Sequence, residues 1–315
     1  MKNSKALVKS NISLVQAIPS IAELMERFIN SQDVRLSSKG LYRRTLKQYF
    51  SWLHKSGMQL SNVTRVEILS YKQSLQDNGL SSLTVGSYLT VVRKFYEWAE
   101  GNKYYPNVAK GIKTPTRKQQ FKKQPLTALQ SKALLEHYQS KTLRDYAIIN
   151  LLLRTGVRTI EVIRASVEDI TFKGGKRVLL IHGKGRDEKD NFVILTDKAQ
   201  KPITEYLNSR GKIKAGDPLF TSTSNNNNGE RLTPRTISYI AKEGLKAIGL
   251  DGKEFTAHSL RHTTAVSILR AGGSLEDAQG VMRHTNPATT QIYTATIKEE
   301  LRLQHATEEL LDSVY

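Results

Sequence analysis

The chain has 315 residues, with 48 lysines and arginines against 29 aspartates and glutamates, so its formal net charge is +19. This excess predicts a polyanionic partner, in the first place nucleic acid. The absence of cysteine excludes a disulfide framework and a thiolate metal site. No apolar run approaches the ~18–20 residues that a membrane span needs. The polar start of the chain is unlike a signal peptide, so we expect a soluble, cytoplasmic protein without membrane contact.

The positive charge is concentrated in the first part of the chain. Residues 1–125 hold 21 basic and 7 acidic residues, a net +14, whereas the remaining 190 hold 27 and 22, a net +5. A chain of this length predicts two domains. We therefore expect the amino-terminal part to be the more general electrostatic binder, and the carboxy-terminal part to be a balanced domain with a local charged site.

Four helical patterns fill residues 16–109, after a polar lead-in over residues 1–15. Ser20 and Thr64 are suited to cap the first and third helices, and Ser82 begins the fourth. Apolar residues recur at steps near three and four, as on the buried face of a helix. The stripes of the first three helices contain Ile21, Leu24, Met25, Phe28, Leu41, Leu46, Tyr49, Phe50, Leu53, Ile68, Leu69, Tyr71 and Leu75. We expect them to pack a small helical core.

Residues 110–125 contain glycine and proline, six basic residues and no acidic one. We interpret them as an exposed basic linker between two domains. The linker either lies along the phosphate backbone of DNA, which we favour, or forms a solvated tether without specific contacts. The candidate DNA-binding residues are Lys113, Arg117, Lys118, Lys122 and Lys123.

A second domain is predicted over residues 126–297, mainly helical with a small antiparallel sheet. The apolar residues 143–153 predict a buried helix, and Gly156 fits the position just past its end. Two β-type runs at 178–181 and 192–195 flank a segment rich in glycine and charge, which predicts a hairpin. Further helices are predicted at about 234–248, 256–271 and 275–282.

Five short stretches of the second domain hold side chains that suit phosphoryl transfer without a metal ion. Arginines bind phosphate oxygens bidentately, lysine and histidine exchange protons, and a tyrosine hydroxyl attacks as a nucleophile. There is neither a nucleotide-binding glycine loop nor an acidic cluster typical of a two-metal nuclease, so we expect no cofactor. In chain order the candidates are Arg158, Glu161, Lys184, His258, Arg261, His284 and Tyr293.

This series resembles the active site of the tyrosine recombinase (phage integrase) family, which runs Arg, Glu or Asp, Lys, His-x-x-Arg, His and Tyr. The nine-residue step from His284 to Tyr293 is also that of the family. Residues Thr84–Trp98 are similar to the last long helix of its core-binding domain. The resemblance implies a SAM-like core-binding domain and a catalytic domain of the tyrosine recombinase fold. It also implies a clamp around double-stranded DNA and a tetramer on the recombination site.

The resemblance implies a phosphate clamp made by two arginines. Arg158 and Arg261 would hold the non-bridging oxygens, with Glu161 as orienting support. His258 would accept the tyrosine proton or donate a hydrogen bond to the phosphate. The family's usual Leu-Gly-His is replaced by Met-Arg-His, so Arg283 either continues the helix or adds a phosphate contact.

The resemblance also implies the nucleophile and the general acid. Tyr293 would attack the phosphate, and Lys184 at the hairpin tip would protonate the departing 5′ oxygen. Other basic residues of the hairpin remain alternatives for this proton donor: Lys176, Arg186 and Lys189.

We therefore expect a site-specific DNA recombinase that works through a 3′-phosphotyrosyl intermediate and a Holliday junction. The alternatives are a type IB topoisomerase and a DNA-binding protein with a degenerate site. The short lead-in favours a two-domain enzyme, which serves either mobile-element integration or resolution. The tail, residues 298–315, carries Leu301, Leu303, Leu310, Leu311 and Val314. We expect it to dock on a neighbouring protomer, the alternative being its own domain.

Overall fold

A computed structural model describes residues 19–116, 123–183 and 188–283, together with residues 297, 312 and 314. The chain divides between Gln119 and Gln120 into two compact units. None of the helices in the described ranges combines the length and apolar composition that a bilayer crossing requires. The predicted fold class, mainly helical with one small antiparallel sheet, is confirmed.

In the described part of the first unit, three of the four α-helices begin at a capping side chain, and the second begins without one. Ser20 and Thr64 each accept a backbone N–H of the first turn, and Glu23 and Glu67 bond back to the cap residues. These reciprocal bonds satisfy donors that the helix itself leaves unpaired. The helices are α1 (Ile21–Ser31), α2 (Leu36–Lys55), α3 (Arg65–Asp77) and α4 (Ser82–Gly101).

Most of the predicted stripes form the buried core of this unit, with three exceptions. Ile21, Leu41 and Leu69 are 44%, 37% and 45% exposed. Leu69 lies about 100° around the helix from the buried Ile68, and Leu41 lies about 140° from Leu46. Ile21 is the first residue of α1. The prediction relied on apolar character alone, so it assigned to the core three side chains that lie outside the buried face.

The segment predicted as a linker begins inside the first unit. Ile112 is 1% exposed and belongs to the same buried cluster as the α2 and α4 residues. Side chains of the unit also donate to backbone carbonyls of this segment. The bonds are Arg65 Nη1 to Lys110 O at 2.5 Å, Lys72 Nζ to Lys113 O at 3.0 Å and Arg93 Nη1 to Ile112 O at 3.3 Å. Residues 110–113 are thus packed on the first unit, which shortens the exposed linker predicted at 110–125.

The second unit surrounds the buried helix α6 with further helices and a sheet at one side. The helices are α5 (Ala128–Gln139), α6 (Leu143–Thr155), α7 (Thr159–Arg164), α8 (Asp197–Ser209), α9 (Pro234–Ala247), α10 (Ala257–Arg270) and α11 (Leu275–Met282). The strands are β1 (Ile170–Lys173), β2 (Lys176–Ile181) and β3 (Asn191–Ile194), in the order β1-β2-β3 with both pairings antiparallel.

The predicted hairpin is confirmed as the β2–β3 pair, whose last matched residues are Ile181 and Asn191. The sequence pattern does not predict β1 or α8. β1 has four residues, none of them fully buried, so it lacks the apolar run that identifies a strand. Helix α8 contains Pro202 in its interior, where a proline normally ends a helix.

Candidate active site

Helix α6 ends in a turn that presents Arg158. Gly156 takes a left-handed conformation with φ 58°, and Arg158 becomes the residue before the first turn of α7. Its backbone N–H donates to Glu161 Oε2 at 2.7 Å, and its Nη1 donates to Glu161 Oε1 at 2.8 Å. The Glu161 side chain is 1% exposed, whereas that of Arg158 is 35% exposed. The carboxylate therefore fixes an arginine that still reaches solvent.

A second arginine, Arg283, binds the same carboxylate. Arg283 Nη2 lies 2.9 Å from Glu161 Oε2, and its side chain is 8% exposed. One predicted alternative, that Arg283 continues α11, is wrong, because Arg283 ends the helix with φ 53°. This is the left-handed region, which glycine, the family's usual residue at this position, adopts without steric strain. Arg283 Nη1 also donates to Val281 O at 2.8 Å.

The ionisation of Glu161 follows from these contacts. Burial by itself would raise the pKa of Glu161. The charge of Arg283 and the hydrogen bonds and charge of Arg158 outweigh burial, so the pKa is lowered from 4.5. The carboxylate is thus ionised at neutral pH and balances part of the positive charge of the site.

Arg261 ties together the ends of two helices. It lies on α10 and is 2% exposed. Its Nη1 donates to the carbonyl of Gly156, past the end of α6, and its Nη2 donates to the carbonyl of Met282, the last residue of α11. Met282 packs closely on Gly156, because an added Cβ would lie 2.0 Å from Met282 Cε and the methionine side chain would have to shift. Arg261 therefore has a structural role in addition to the predicted contact with phosphate.

His258 lies one turn before Arg261 on α10, and its side chain is exposed. Partial desolvation, followed by the positive charges of Arg261, Arg158 and Lys123, lowers the pKa of His258. These charges favour the neutral imidazole, which is the form that accepts a proton. The structure thus brings His258 within electrostatic reach of both predicted arginines.

The end of the basic linker is attached to α10. His262 Nδ1 lies 3.0 Å from Lys123 O, and Thr263 Oγ1 accepts the backbone N–H of Leu126 at 2.8 Å. Lys123 Nζ donates to Lys253 O at 2.7 Å. Burial lowers the pKa of His262 to about 4, so this ring is neutral and donates from Nδ1 to the carbonyl. His262 is therefore a structural neighbour of the candidate site.

The hairpin is held where it leaves the sheet. Arg164 Nη1 donates to Gly183 O at 2.9 Å, and Lys189 Nζ lies 2.5 Å from Asp169 Oδ1. Lys189 is therefore occupied by a buried carboxylate, which argues against it as the proton donor. Lys176 begins β2, so about 17 Å of strand separates it from Ile181. Lys184 and Arg186 lie outside the described residues.

Several predicted residues also lie outside the described part of the chain. They are Arg117, Lys118, Lys122, His284, Tyr293 and most of the tail. Two described residues flank the segment that contains Tyr293. Arg283 precedes it at the end of α11, and Ile297 follows it, 2% exposed in a cluster with apolar residues of α10 and α11. In the tail, Val314 is 71% exposed.

Two family models cover most of the sequence. The model described as "Phage integrase family" matches residues 124–300, and the one described as "Phage integrase, N-terminal SAM-like domain" matches residues 21–103. The first match alone spans more than half of the chain.

Among the described residues, no group of three or more His, Asp or Glu side chains is arranged to hold a metal ion.

Individual proteins and solved structures show the same likeness. A tyrosine recombinase XerD of Halalkalibacterium halodurans is 28% identical, over 88% of this chain and 94% of its own length. A tyrosine recombinase XerC of Caldanaerobacter subterraneus subsp. tengcongensis is 36% identical, over 56% of this chain and 48% of its own. The fold is similar to that of the XerH recombinase bound to a palindromic difH substrate, with a TM-score of 0.71 at 21% identity over 92% of this chain and 85% of that one. A lambda integrase dimer bound to a core site has a TM-score of 0.67 at 17% identity, over 86% and 76% of the two chains.

Proposed function

The chain belongs to the phage integrase family and is a tyrosine-type site-specific recombinase, and from this premise we propose that Tyr293 is its nucleophile. Arg158 and Arg261 hold the scissile phosphate, and His258 and His284 complete the pocket. The observation that carries the proposal is the fixed, solvent-reaching Arg158 beside an exposed His258 whose ring is biased towards its neutral form.

The arginines stabilise the charge that develops on the phosphate. Glu161 holds Arg158 through its side chain and its backbone, so the guanidinium is oriented before the substrate arrives. A preorganised cation costs no rearrangement during the reaction, and such a group is typically worth ~3–4 kcal/mol in the transition state. The 35% exposure of Arg158 leaves it accessible to a backbone phosphate.

The proton transfers then follow from the residues around the phosphate. His258 accepts the phenolic proton of Tyr293 while the tyrosine oxygen bonds to phosphorus. The bond from phosphorus to the 5′ oxygen breaks, and Lys184 protonates that oxygen. The products are a 3′-phosphotyrosyl link and a free 5′-hydroxyl. Attack by a 5′-hydroxyl of a partner duplex reverses the step and joins the exchanged strands.

Two such exchanges, through a Holliday junction, recombine two duplex sites. We place four protomers on the DNA, with the exposed Lys113 and the linker residues Arg117, Lys118 and Lys122 along the phosphate backbone. The near full-length likeness to a protein named XerD favours recombination of the Xer type over integration of a mobile element. Type IB topoisomerase chemistry remains the competing activity, because it shares the phosphotyrosyl step but joins no second duplex.

Covalent capture tests this proposal. DNA sites are first selected from a random pool with the protein itself, and a nicked form of the selected site then traps the adduct in the presence of a chelator. Tyr293→Phe should bind this DNA normally and form no adduct, because only the nucleophilic oxygen is removed. Arg158→Ala should slow adduct formation by ~10²–10³. An adduct formed by Tyr293→Phe, or relaxation of supercoiled DNA without exchange between two duplexes, would contradict the proposal.

A further inference from the structure

Both ends of the loop that contains Lys184 are tied to one neighbouring segment. The β2–β3 ladder ends at the pair Ile181 and Asn191. Two residues beyond this pair on one strand, Gly183 O accepts a hydrogen bond from Arg164 Nη1 at 2.9 Å. Two residues before it on the other strand, Lys189 Nζ contacts Asp169 Oδ1 at 2.5 Å. The two attachments therefore lie at equivalent positions on the two strands, each two residues from the last pair of the ladder.

The attachment points belong to the same short stretch of chain that carries Arg158. Helix α7 runs from Thr159, directly after Arg158, to Arg164. Asp169 follows in the turn after α7, and its side chain is 2% exposed. Its other oxygen accepts the backbone N–H of Ser166 at 2.8 Å. Because Asp169 is buried and bonded on both oxygens, it is a rigid anchor for the lysine.

We propose that Arg164 and the Lys189–Asp169 pair are positioning residues for the general acid. They fix both ends of the hairpin loop to the segment that begins with Arg158, and so limit where Lys184 travels relative to the phosphate clamp. This inference rests on the proposed role of Lys184 as the proton donor to the 5′ oxygen.

Restricting both ends of a short loop has a direct effect on proton transfer. A loop held at both ends samples fewer conformations than one held only by its strands. General acid catalysis requires the donor to reach the leaving oxygen at hydrogen-bond distance. A misplacement of about 1 Å lowers the rate by up to ~10²-fold. Loss of either attachment should therefore slow the step that needs the proton, and no other step.

A substrate that needs no proton isolates this effect. In a 5′-bridging phosphorothiolate the leaving atom is sulfur, which departs as a thiolate without protonation. Cleavage of this DNA and of ordinary DNA is compared in the full-length protein for Lys189→Met, Arg164→Gln and the reference Lys184→Ala. Lys189→Arg is the conservative variant, because it keeps a cation beside Asp169. Lys201→Met is the matched control, because it removes an exposed lysine 3.9 Å from Glu205 on α8.

We expect Lys189→Met and Arg164→Gln to slow cleavage of ordinary DNA by ~10–10²-fold, and the phosphorothiolate to restore both to within a few-fold of wild type. Lys189→Arg and Lys201→Met should cleave both substrates nearly as wild type does. Equal losses on both substrates would overturn the inference, because general damage to the fold does not depend on the leaving group.

Two other outcomes also separate the hypotheses. If Lys189→Arg is as slow as Lys189→Met and both are rescued by sulfur, then Lys189 donates the proton itself, and the positioning role is wrong. If Lys184→Ala is not rescued, the proposed function of Lys184 fails. If Lys184→Ala is rescued while Lys189→Met and Arg164→Gln are not, only the present inference fails.

Discussion

Arg283 Nη2 lies 2.9 Å from Glu161 Oε2, so the residue that ends α11 is paired with the carboxylate that orients Arg158. The pair is nearly buried on both sides, at 8% and 1% exposure. It is formed from a left-handed backbone, with φ 53°, which costs a non-glycine residue roughly 1–2 kcal/mol. Burial of Arg283 outweighs its attraction to Glu161 and lowers the pKa of the guanidinium, so Arg283 combines local backbone strain with a buried ion pair.

Replacing Arg283 separates these two contributions. Arg283→Gly and Arg283→Ala both lose the ion pair and leave Glu161 with Arg158 alone, so both should unfold more easily than wild type. Only glycine relieves the left-handed strain, so Arg283→Gly should be more stable than Arg283→Ala by ~1–2 kcal/mol. Denaturant unfolding of the second unit measures the difference. Equal stability of the two variants would show that the backbone at this position is unstrained.

His262 should make stability depend on pH. Its pKa is lowered by burial from 6.5 to about 4, so between these values the unfolded chain binds a proton that the folded chain does not. Stability is therefore full above pH 6.5 and falls as the pH decreases towards 4, by ~3 kcal/mol at about 1.4 kcal/mol per unit. His262→Asn keeps a donor for Lys123 O but does not titrate, so unfolding measured across this range should depend less on pH. An unchanged dependence would assign the effect to other groups.

Gly156 should be sensitive to a single methyl group. Gly156→Ala combines left-handed strain with a contact of 2.0 Å to Met282 Cε, so we expect a loss of ~2–5 kcal/mol from the two effects together. Gly175→Ala is the matched control, because Gly175 has φ 73° and no atom within 4 Å of an added Cβ. It should lose only ~1–2 kcal/mol. Comparable losses in denaturant unfolding would show that Met282 moves aside without cost.

Lys113 and Lys123, the two candidate DNA-binding lysines that lie in the described part of the basic segment, should differ in their effect on DNA binding. The Lys113 side chain is exposed, whereas Lys123 Nζ already donates to Lys253 O. Each neutralised phosphate contributes ~0.9 to the slope of log affinity against log salt. Lys113→Gln should therefore lower the slope by about one, and Lys123→Gln should change it less. The slopes are obtained from titrations at several salt concentrations, and the reverse order would contradict this assignment.

Much of the fold could be predicted because its signals are local. Ser20 caps α1, and such serine or threonine caps depend only on hydrogen bonds within the first turn of the helix. The β2–β3 hairpin follows from two apolar runs around a glycine-rich segment. The sequence pattern does not predict β1 or α8. A strand with no fully buried residue and a helix that contains Pro202 are stabilised by their neighbours rather than by their own sequence.

The candidate site could be predicted as a set of residues but not as a set of contacts. Arg158 and Glu161 are three residues apart, so their pairing is a local property of α7. Arg283 lies 122 residues from Glu161, and neither its ion pair nor its left-handed backbone has a sequence signal beyond an arginine in place of the family's glycine. The burial of Ile112 at the start of the basic segment likewise depends on packing against distant helices.

The structural role of Arg261 affects how related sequences are interpreted. Because its guanidinium ties the end of α6 to the end of α11 through two backbone carbonyls, selection for a stable fold would preserve it even without selection for strand cleavage. A descendant that had lost the nucleophilic tyrosine would still keep this arginine. Its presence in a newly sequenced relative is therefore weak evidence of an active enzyme, and the residues without structural duties are the better indicators of activity.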